Sequence, residues 1–250
     1  MNSQASESLK VIPVIDIYNC IVVHAVRGKR KHYQPLKSVL TQSVEPLKVA
    51  HAFKKLGFTE LYMADLDAIT KGQTNFVLFK HIADETRLKL MVDAGVADLK
   101  RAEKLLNSGV AKVVIGTETL SGQSFVGEAI KIFGSSKVMV SLDLKGDEVL
   151  VKSGFPGCVD PICLLRGFKE IGLSSVIVLD LKRVGSGEGI NIDFLKKALD
   201  DKLSIYVGGG LRDFQDLVEL KDLGVSGVLA ATALHSGKIS VKDLKHAEML

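Results

Sequence analysis

The sequence is poor in cysteine, and its three cysteines do not form the pattern of a disulfide framework or a zinc site. Cys20, Cys158 and Cys163 include no Cys-x-x-Cys pair, and a single Cys-x4-Cys is a weak zinc signal. An odd number of cysteines fits free thiols, in the core or in loops, kept in a reducing cytosol. We therefore expect a cytoplasmic protein without a structural metal.

Long apolar runs and clusters of one charge sign are also missing. No uninterrupted apolar stretch approaches membrane-spanning length, and the polar residues 1–9 lack the cationic and apolar regions of a signal peptide. The net charge is +4, with Lys and Arg interleaved with acids, unlike a nucleic-acid-binding arm. We expect neither a membrane nor a nucleic-acid partner, while the slightly basic balance fits an anionic small substrate.

What the sequence does contain is a regular alternation of short β-rich runs with amphipathic segments. The apolar character of the runs is continuous, which is typical of strands covered on both faces. Helical spacing is clear at 44–56, 99–106 and 214–223, and glycines that suit left-handed helix caps stand at Gly57, Gly109, Gly172 and Gly224. The strands are expected at 11–17, 60–64, 89–92, 112–115, 137–142, 175–179, 204–207 and 227–231.

Eight such β-then-α units predict an α/β fold, a single closed (β/α)8 TIM barrel over residues 1–250. An open doubly wound sheet is the alternative. An internal repeat favours the barrel, because several matches share one spacing of 115 positions. That spacing pairs residues 94–98 with 209–213, 64–66 with 179–181, Gly72 with Gly187, 109–110 with 224–225 and Thr117 with Thr232.

A looser match pairs residues 14–17 with 141–144, and each segment is followed by a second β-like run. The different spacing of this pair is explained by an insert at 29–43. The simplest account is a two-fold repeat of half-barrels, at roughly 10–120 and 136–240.

Acidic residues follow the strands at symmetric places. Active sites of such barrels lie at the C-terminal ends of the strands, where Asp16 closes the first predicted strand and Asp143 the fifth. Two carboxylates on opposite sides of one barrel mouth suit a general base and a general acid, so both are predicted catalytic, against the alternative that each braces its loop. Asp65 and Asp180 close the second and sixth strands. Two interpretations stay open: each braces its loop from behind the residues that bind the ligand, or each contacts the substrate.

Glycines after the seventh strand predict a phosphate site. Gly208, Gly209 and Gly210 precede a helix, so backbone amides and the helix N-terminus can face an anion. A tight turn would explain only one or two of the three glycines. Ala231 and Thr232, after the eighth strand, complete the usual phosphate position of the barrel.

The repeat predicts a second phosphate position in the other half, formed by Gly95, Gly116 and Thr117. Asp93 brings a negative charge to that position, where it would repel an anion. Either Asp93 points away or the second phosphate is absent. Two loops are further candidates: the glycine-rich segment 182–189 can close over a ligand, and the basic segment 27–32 can hold an anion or be an ordinary solvated loop.

The motifs together resemble the HisA/HisF family of histidine biosynthesis. The resemblance spans nearly the whole chain and is carried by the segments IPVIDI (12–17) with VV (22–23), YMADLD (62–67), VSLD (140–143), VKSGF (151–155) and VGGGLR (207–212). It implies a barrel that binds a substrate with two phosphates. HisA-type enzymes isomerise a phosphoribosyl aminoimidazole carboxamide intermediate by an Amadori rearrangement, without a cofactor, through aspartates that match Asp16 and Asp143. HisF-type enzymes use the same positions for a cyclisation with ammonia from a glutaminase partner.

Five places differ from the family pattern. They are the turn 93–95, Leu179 in place of a threonine that assists HisA-type catalysis, 184–186 in place of Asp-Gly-Thr, Ala231 in place of glycine, and His24 in place of a basic residue. The leading hypothesis is a HisA-type isomerase, which needs no glutaminase partner. The differences leave two alternatives: a paralogue acting as a lyase or synthase on another phosphorylated sugar or cofactor precursor, and a non-catalytic barrel that binds a phosphorylated metabolite.

Overall fold

The computed structural model describes residues 9–199 and 203–250 of the chain. The expectation that residues 1–9 are not a signal peptide concerns mainly residues 1–8, which lie outside the described residues. The strands are, in chain order, β1 (Lys10–Tyr18), β2 (Ile21–His24), β3 (Gln34–Pro35), β4 (Glu60–Asp65), β5 (Lys89–Asp93), β6 (Lys112–Gly116), β7 (Val138–Lys145), β8 (Glu148–Val149), β9 (Ser175–Asp180), β10 (Ser204–Gly208) and β11 (Gly227–Ala230).

Eight of these strands form a closed parallel barrel. The pairing runs from β1 through β4, β5, β6, β7, β9 and β10 to β11, and β11 pairs in parallel with β1 again. The expected (β/α)8 barrel is confirmed, and all eight expected strands are present. In this circle β7 lies opposite β1.

Helices follow the barrel strands, and the longer ones pack against the outside of the barrel. They are α1 (Pro46–Leu56), α2 (Leu66–Lys71), α3 (Phe76–Thr86), α4 (Leu99–Asn107), α5 (Gln123–Phe133), α6 (Pro161–Glu170), α7 (Ile192–Leu199), α8 (Phe214–Asp222), α9 (Thr232–His235) and α10 (Val241–His246), with short 3-10 turns at Arg30–His32 and Ser135–Lys137. Within the described part of the chain, no helix combines the length and apolarity needed to span a membrane.

Short hairpins lengthen two opposite barrel strands. Strand β2 pairs antiparallel with the end of β1, and β8 with the end of β7. Asp16 therefore pairs with Val23 inside a ladder, and β7 continues past Asp143 to Lys145. The expectation that the two aspartates end their strands was wrong, because each hairpin continues the ladder by two residues beyond its aspartate.

Side chains alternate between two apolar layers. Along β1, Val11, Ile15 and Ile17 pack in the layer between the strands and the helices, whereas Ile12 and Val14 face the interior of the barrel. Because side chains point to the same face at every second position, the inward register continues from each buried interior residue to the C-terminal mouth. The residues that it brings to the mouth are Asp16, Ala64, Asp93, Gly116, Asp143, Leu179, Gly208 and Ala231.

Equivalent helix ends recur in the two halves of the chain. Asp98 and Asp213, 115 positions apart, are the N-caps of α4 and α8 and accept hydrogen bonds from the amides of Arg101 (2.8 Å) and Gln215 (3.0 Å). Gly57, Gly109, Gly172 and Gly224 all have the positive φ expected of helix caps. The division into half-barrels near 10–120 and 136–240 stays a prediction.

The three cysteines are free and exposed. None is a core thiol; Cys20 and Cys158 lie in loops as expected, whereas Cys163 lies in α6.

The caps after α4 and α8 give a matched test of glycine's role. A Cβ at Gly109 would lie 2.9 Å from Cβ of Ala83, whereas a Cβ at Gly224 would meet no atom within 4 Å. Both glycines have φ near +80° (82° and 85°), so Gly224→Ala should cost about 1 kcal/mol of unfolding free energy. Gly109→Ala should cost ~1–3 kcal/mol more, because Ala83 must move. Urea denaturation measures both, and equal losses would contradict the crowding argument.

Candidate active site

A cavity of about 290 Å³ opens at the C-terminal ends of the barrel strands. Its lining includes most of the residues that the sequence singles out, brought together from strands on opposite sides of the barrel: Asp16, Asp143, Gly208, Gly209, Gly210, Ala231 and Thr232. Gly95, Gly116, Thr117, Asp65 and Asp180 are not among the residues that line it. The cavity is therefore the place where the predicted acid–base groups and the first predicted phosphate position meet.

Asp16 projects from β1 towards the cavity and is partly exposed to it. Burial in the barrel mouth raises the pKa of this carboxyl group from 3.8 to about 7, because desolvation disfavours the charged form. A carboxyl group with such a pKa can release or take a proton near neutral pH.

Asp143, on the opposite strand β7, is more deeply buried than Asp16 and is hydrogen-bonded through both its side chain and its backbone. Its Oδ1 accepts from the hydroxyl of Ser141 (2.7 Å), and its backbone N–H donates to Oγ1 of Thr117 (3.1 Å). Burial first, and then the negative charge of Asp93, raise its pKa from 3.8 to about 7, against the lowering effect of Ser141. Both predicted catalytic carboxyl groups thus titrate in the same range.

Asp93 is a third carboxyl group in the cavity, at the end of β5. Its Oδ1 accepts a hydrogen bond from the amide of Gly95 (3.1 Å). An ideal Cβ built on Gly116 would lie 3.1 Å from Oδ2 of Asp143 and 3.3 Å from Oδ2 of Asp93. Both carboxylates therefore approach the bare Cα of Gly116, and burial raises the pKa of Asp93 to about 6.

Tyr62, an inward residue of β4, lines the same part of the cavity. Burial raises its pKa well above the ordinary value, and the negative charges of Asp93, Asp143 and Asp16 add to this effect. Its hydroxyl group therefore stays protonated and can donate a hydrogen bond to a ligand.

The glycine turn after β10 forms another wall. Gly209 and Gly210 adopt positive φ of 91° and 93°, and a Cβ on either would collide with a carbonyl oxygen, of Asp180 or of Gly189. Gly208 has no such φ, but a Cβ there would lie 2.7 Å from Cδ1 of Leu179. A side chain is therefore excluded at each of the three positions by a collision with a different neighbouring atom.

Beside this turn, Ala231 precedes α9, whose first N–H groups have no partner inside the helix. The hydroxyl of Thr232 is hydrogen-bonded to Nε2 of His24 at 2.9 Å. His24, one of the positions that differ from the family pattern, therefore contacts the predicted phosphate position from β2.

The residues of the predicted second phosphate position are placed differently. Gly95 donates its amide to Asp93, Thr117 donates its amide to the carbonyl of Ser141 (2.9 Å), and Thr117 is fully buried. A phosphate-binding role of Gly95, Gly116 and Thr117 remains a prediction.

Asp65 and Asp180 both bond to the loops that follow their strands. Asp65 is the N-cap of α2 and accepts from the amide of Ala68 (2.9 Å). Asp180 accepts from the amide of Lys182 (3.0 Å) and forms an ion pair with Arg183 (3.1 Å). These contacts correspond to the bracing interpretation.

The first loop and the loop after β9 meet above the cavity. The amide of Arg27 donates to the carbonyl of Val184 (2.9 Å), and its guanidinium group pairs with Glu188. The two loops also pack closely at Gly185, where a Cβ would collide with the carbonyl of Ala25. The two loops that the sequence marks as candidates therefore form one cover.

Several charged residues of the lining were missed or underrated from the sequence. Arg30, in the basic segment that could equally be a solvated loop, reaches Glu118 with two hydrogen bonds of 3.0 and 3.2 Å, and both residues line the cavity. Lys145 and Lys182 also line it. Glu118 directly follows the predicted Gly116-Thr117 pair, so its position after a strand was the available signal.

Between the charged groups the cavity wall is apolar. Leu150, Leu179, Leu181, Val184 and Leu211 all contribute to it. Leu179 thus presents a hydrocarbon surface where HisA-type enzymes are expected to have a hydroxyl group. Among residues 9–199 and 203–250, no cluster of three or more His, Cys, Asp or Glu side chains is arranged to hold a metal ion.

Comparison with known proteins identifies the family. The model of a family described as "Histidine biosynthesis protein" matches residues 10–240. The chain belongs to this histidine biosynthesis family. Among its relatives, an uncharacterized protein of Methanocaldococcus jannaschii is 35% identical over 240 residues, covering 94% of this chain and 97% of the relative.

Other relatives in the histidine biosynthesis family carry a functional name. A protein of Streptococcus sanguinis is 31% identical over 245 residues (96% of this chain, 99% of the relative), and one of Clostridium acetobutylicum is 29% identical over 236 residues (93% and 96%). Both are named as imidazole-4-carboxamide isomerases, and the name of their substrate contains a 5-phosphoribosyl and a 5-phosphoribosylamino group. The relatives of this chain thus include proteins named as isomerases.

The raised pKa of Asp16 has a consequence for stability. The folded value of about 7 exceeds the ordinary 3.8, so between these pH values the folded state holds a proton that the unfolded state has lost. The free energy of unfolding should therefore fall as pH rises from about 4 to 7. Asp16→Asn removes this cost and should be more stable than the wild type at pH 8, by ~1–4 kcal/mol, and equally stable near pH 3.

Thermal or urea unfolding at both pH values measures this effect. Asp147→Asn, at an exposed position in the turn between β7 and β8, is the control and should leave stability unchanged at both. A wild type more stable than Asp16→Asn at pH 8 would contradict a burial penalty on this carboxyl group.

Proposed function

We propose that the protein is an acid–base aldose–ketose isomerase that carries out an Amadori rearrangement on a phosphorylated aminoaldose. The observation that carries the proposal is the pair Asp16 and Asp143, on opposite strands of one cavity, each with a pKa of about 7. An isomerisation of this kind needs one group that gives a proton and one that takes a proton. Relatives named as isomerases support the same reaction class.

In the proposed mechanism, Asp143 is the general acid. It protonates the ring oxygen of the aminoaldose, the C1–O bond breaks, and the nitrogen lone pair forms a protonated imine at C1. The hydrogen bond from Ser141 and the burial of Asp143 hold the carboxyl group in place before this step.

Asp16 is then the general base. It removes the proton from C2, and the electron pair moves towards the imine, so the substrate itself is the electron sink and an enolamine forms. Return of this proton from Asp16 to C1, with loss of the C2 hydroxyl proton to the carboxylate of Asp143, gives the aminoketose and restores both aspartates, so atoms and electrons balance. The neutral hydroxyl of Tyr62, beside the aspartates, can donate to an oxygen of the substrate during these transfers.

The substrate's phosphate would bind at the glycine turn Gly208–Gly210 and at Thr232. Backbone approach is open there because no side chain projects from the turn. The first candidate substrate is the phosphoribosyl aminoimidazole carboxamide intermediate on which the named relatives act. This reaction consumes no ammonia, so the proposal includes no glutaminase partner.

Complementation tests this function directly. The gene should restore growth of a histidine auxotroph that lacks the isomerase, and Asp16→Asn or Asp143→Asn should abolish it, since loss of an acid–base group lowers kcat by about 10²–10⁴-fold. Asp147→Asn is the control and should complement. An Asp16→Asn, Asp143→Asn double variant that still complements would instead favour a barrel that only binds a phosphorylated metabolite.

The pH dependence of the purified enzyme is a second test. With one carboxyl group needed deprotonated and the other protonated, and with both pKa values at about 7, kcat/KM should follow a bell-shaped curve with a maximum near neutral pH. Initial rates from pH 5 to 9 measure it. A rate that rises steadily over this range would be inconsistent with the acid role of Asp143.

A second candidate function is a lyase or synthase that acts on another phosphorylated sugar or cofactor precursor. Two observations favour it: Leu179 places an apolar side chain in the cavity wall, and Asp93 adds a third carboxylate. Untargeted metabolite profiling of a deletion strain would test it, with accumulation of a phosphorylated compound outside histidine synthesis as the expected result. A deletion strain that loses only histidine prototrophy would count against it.

A further inference from the structure

We propose that the cavity holds only one phosphate of its substrate, at the Gly208–Gly210 turn, and that Asp93 at the opposite end receives hydrogen-bond donors of the substrate, amine or hydroxyl groups. This inference describes how the substrate of the proposed isomerase binds and rests on that function for the reaction. The number of phosphates that bind can be measured independently of turnover.

The two ends of the cavity occupy equivalent positions that carry opposite chemistry. Asp93 stands 115 positions before Gly208, the spacing of the internal repeat. Both residues end inward-facing registers, on β5 and β10, and both line the cavity. One end therefore offers an open turn without side chains, and the other presents a carboxylate.

The donors that would hold a phosphate near Asp93 already have partners. The amide of Gly95 donates to Oδ1 of Asp93 (3.1 Å), and the amide of Thr117 donates to the carbonyl of Ser141 (2.9 Å). The carbonyls of Ala94 and Gly95 accept from the guanidinium group of Arg101 (3.3 and 2.9 Å), which keeps this turn in place. A second phosphate would have to displace Asp93 from its own amide.

The charges at this end also oppose a phosphate. Asp93 and Asp143 both approach the bare Cα of Gly116, and Glu118 lines the same region. Arg30, a cation that lines the same cavity, is engaged with Glu118 by two hydrogen bonds. Like charges within a few ångströms of each other repel strongly in a partly desolvated site, whereas an amine or hydroxyl would find acceptors here.

The substrate name of the named relatives contains two phosphoribosyl groups, and thus two phosphates. In this chain, Asp93 stands in the first half where the internal repeat has Gly208 in the second, so only one of the two phosphates of such a substrate would find an open glycine turn.

Binding of matched ligands to the full-length protein tests the proposal. The probes are ribose 5-phosphate, with one phosphate, and the bis-phosphorylated aminoimidazole carboxamide, titrated calorimetrically at pH 7.5. Asp93→Gly recreates the glycine turn and should raise affinity for the bis-phosphate tenfold or more, while ribose 5-phosphate should bind more weakly because its hydroxyl groups lose an acceptor. Asp93→Asn keeps a side-chain oxygen that can accept from the Gly95 amide, and it should change affinity in the same direction, so the test holds even if Asp93→Gly does not fold.

The outcomes separate the inference from the proposed function. If the wild type binds the bis-phosphate as tightly as both variants and isomerises it, the single-phosphate inference is overturned and the isomerase stands. If both variants gain affinity for the bis-phosphate but no aminoaldose phosphate is isomerised, the inference stands and the isomerase fails. Unchanged affinity for both probes in both variants overturns the inference whatever the activity.

Discussion

The parallel pairing of β1 with β11 is the contact on which the rest of the structure depends. It closes the sheet, and closure brings the C-terminal ends of all eight strands to one rim. Strands far apart in sequence then face one another, so Asp16 and Asp143 lie across a single cavity. In an open sheet the first and last strands would be two separate edges, and the same residues could not share a ligand.

Closure also determines the electrostatics of the site. The interior below the rim is filled by apolar side chains such as Ile12, Met91 and Met139, so carboxyl groups just above it lose hydration. This loss raises the pKa values of Asp16, Asp93 and Asp143 together. The acid–base character of the site and its cost in stability therefore share one cause, and the large apolar layer between strands and helices offsets that cost.

The sequence predicted the strands well because parallel barrel strands are buried on both faces and read as continuous apolar runs. The same property hid which face of each strand points inward, so the direction of Asp93 stayed open. The structure shows that Asp93 points inward, because Met91, two residues earlier on the same strand, faces the barrel interior. The hairpins that carry β1 and β7 past their aspartates were misjudged at their boundaries, since a ladder depends on a partner strand and not on local composition.

Contacts between distant segments were beyond prediction from one sequence. Arg30 and Glu118 are 88 positions apart, and nothing local distinguishes Arg30 from its solvated neighbours. The close approach of Asp93 and Asp143 likewise depends on the missing side chain of Gly116 on the strand between them. The glycine turn and the two opposed aspartates could be placed because barrel geometry positions strand ends without reference to side-chain partners.

Asp93 stands where the internal repeat has Gly208 in the other half of the chain, and this difference makes the two ends of the cavity chemically unlike. A barrel with matching halves presents a nearly two-fold symmetric mouth, and an elongated ligand with similar ends can enter it either way round, which leaves half of its encounters unproductive. With an open glycine turn at one end and a carboxylate at the other, the two orientations of a ligand differ in energy. Under the proposed function, the broken symmetry thus decides which side of the ligand faces Asp16 and which faces Asp143.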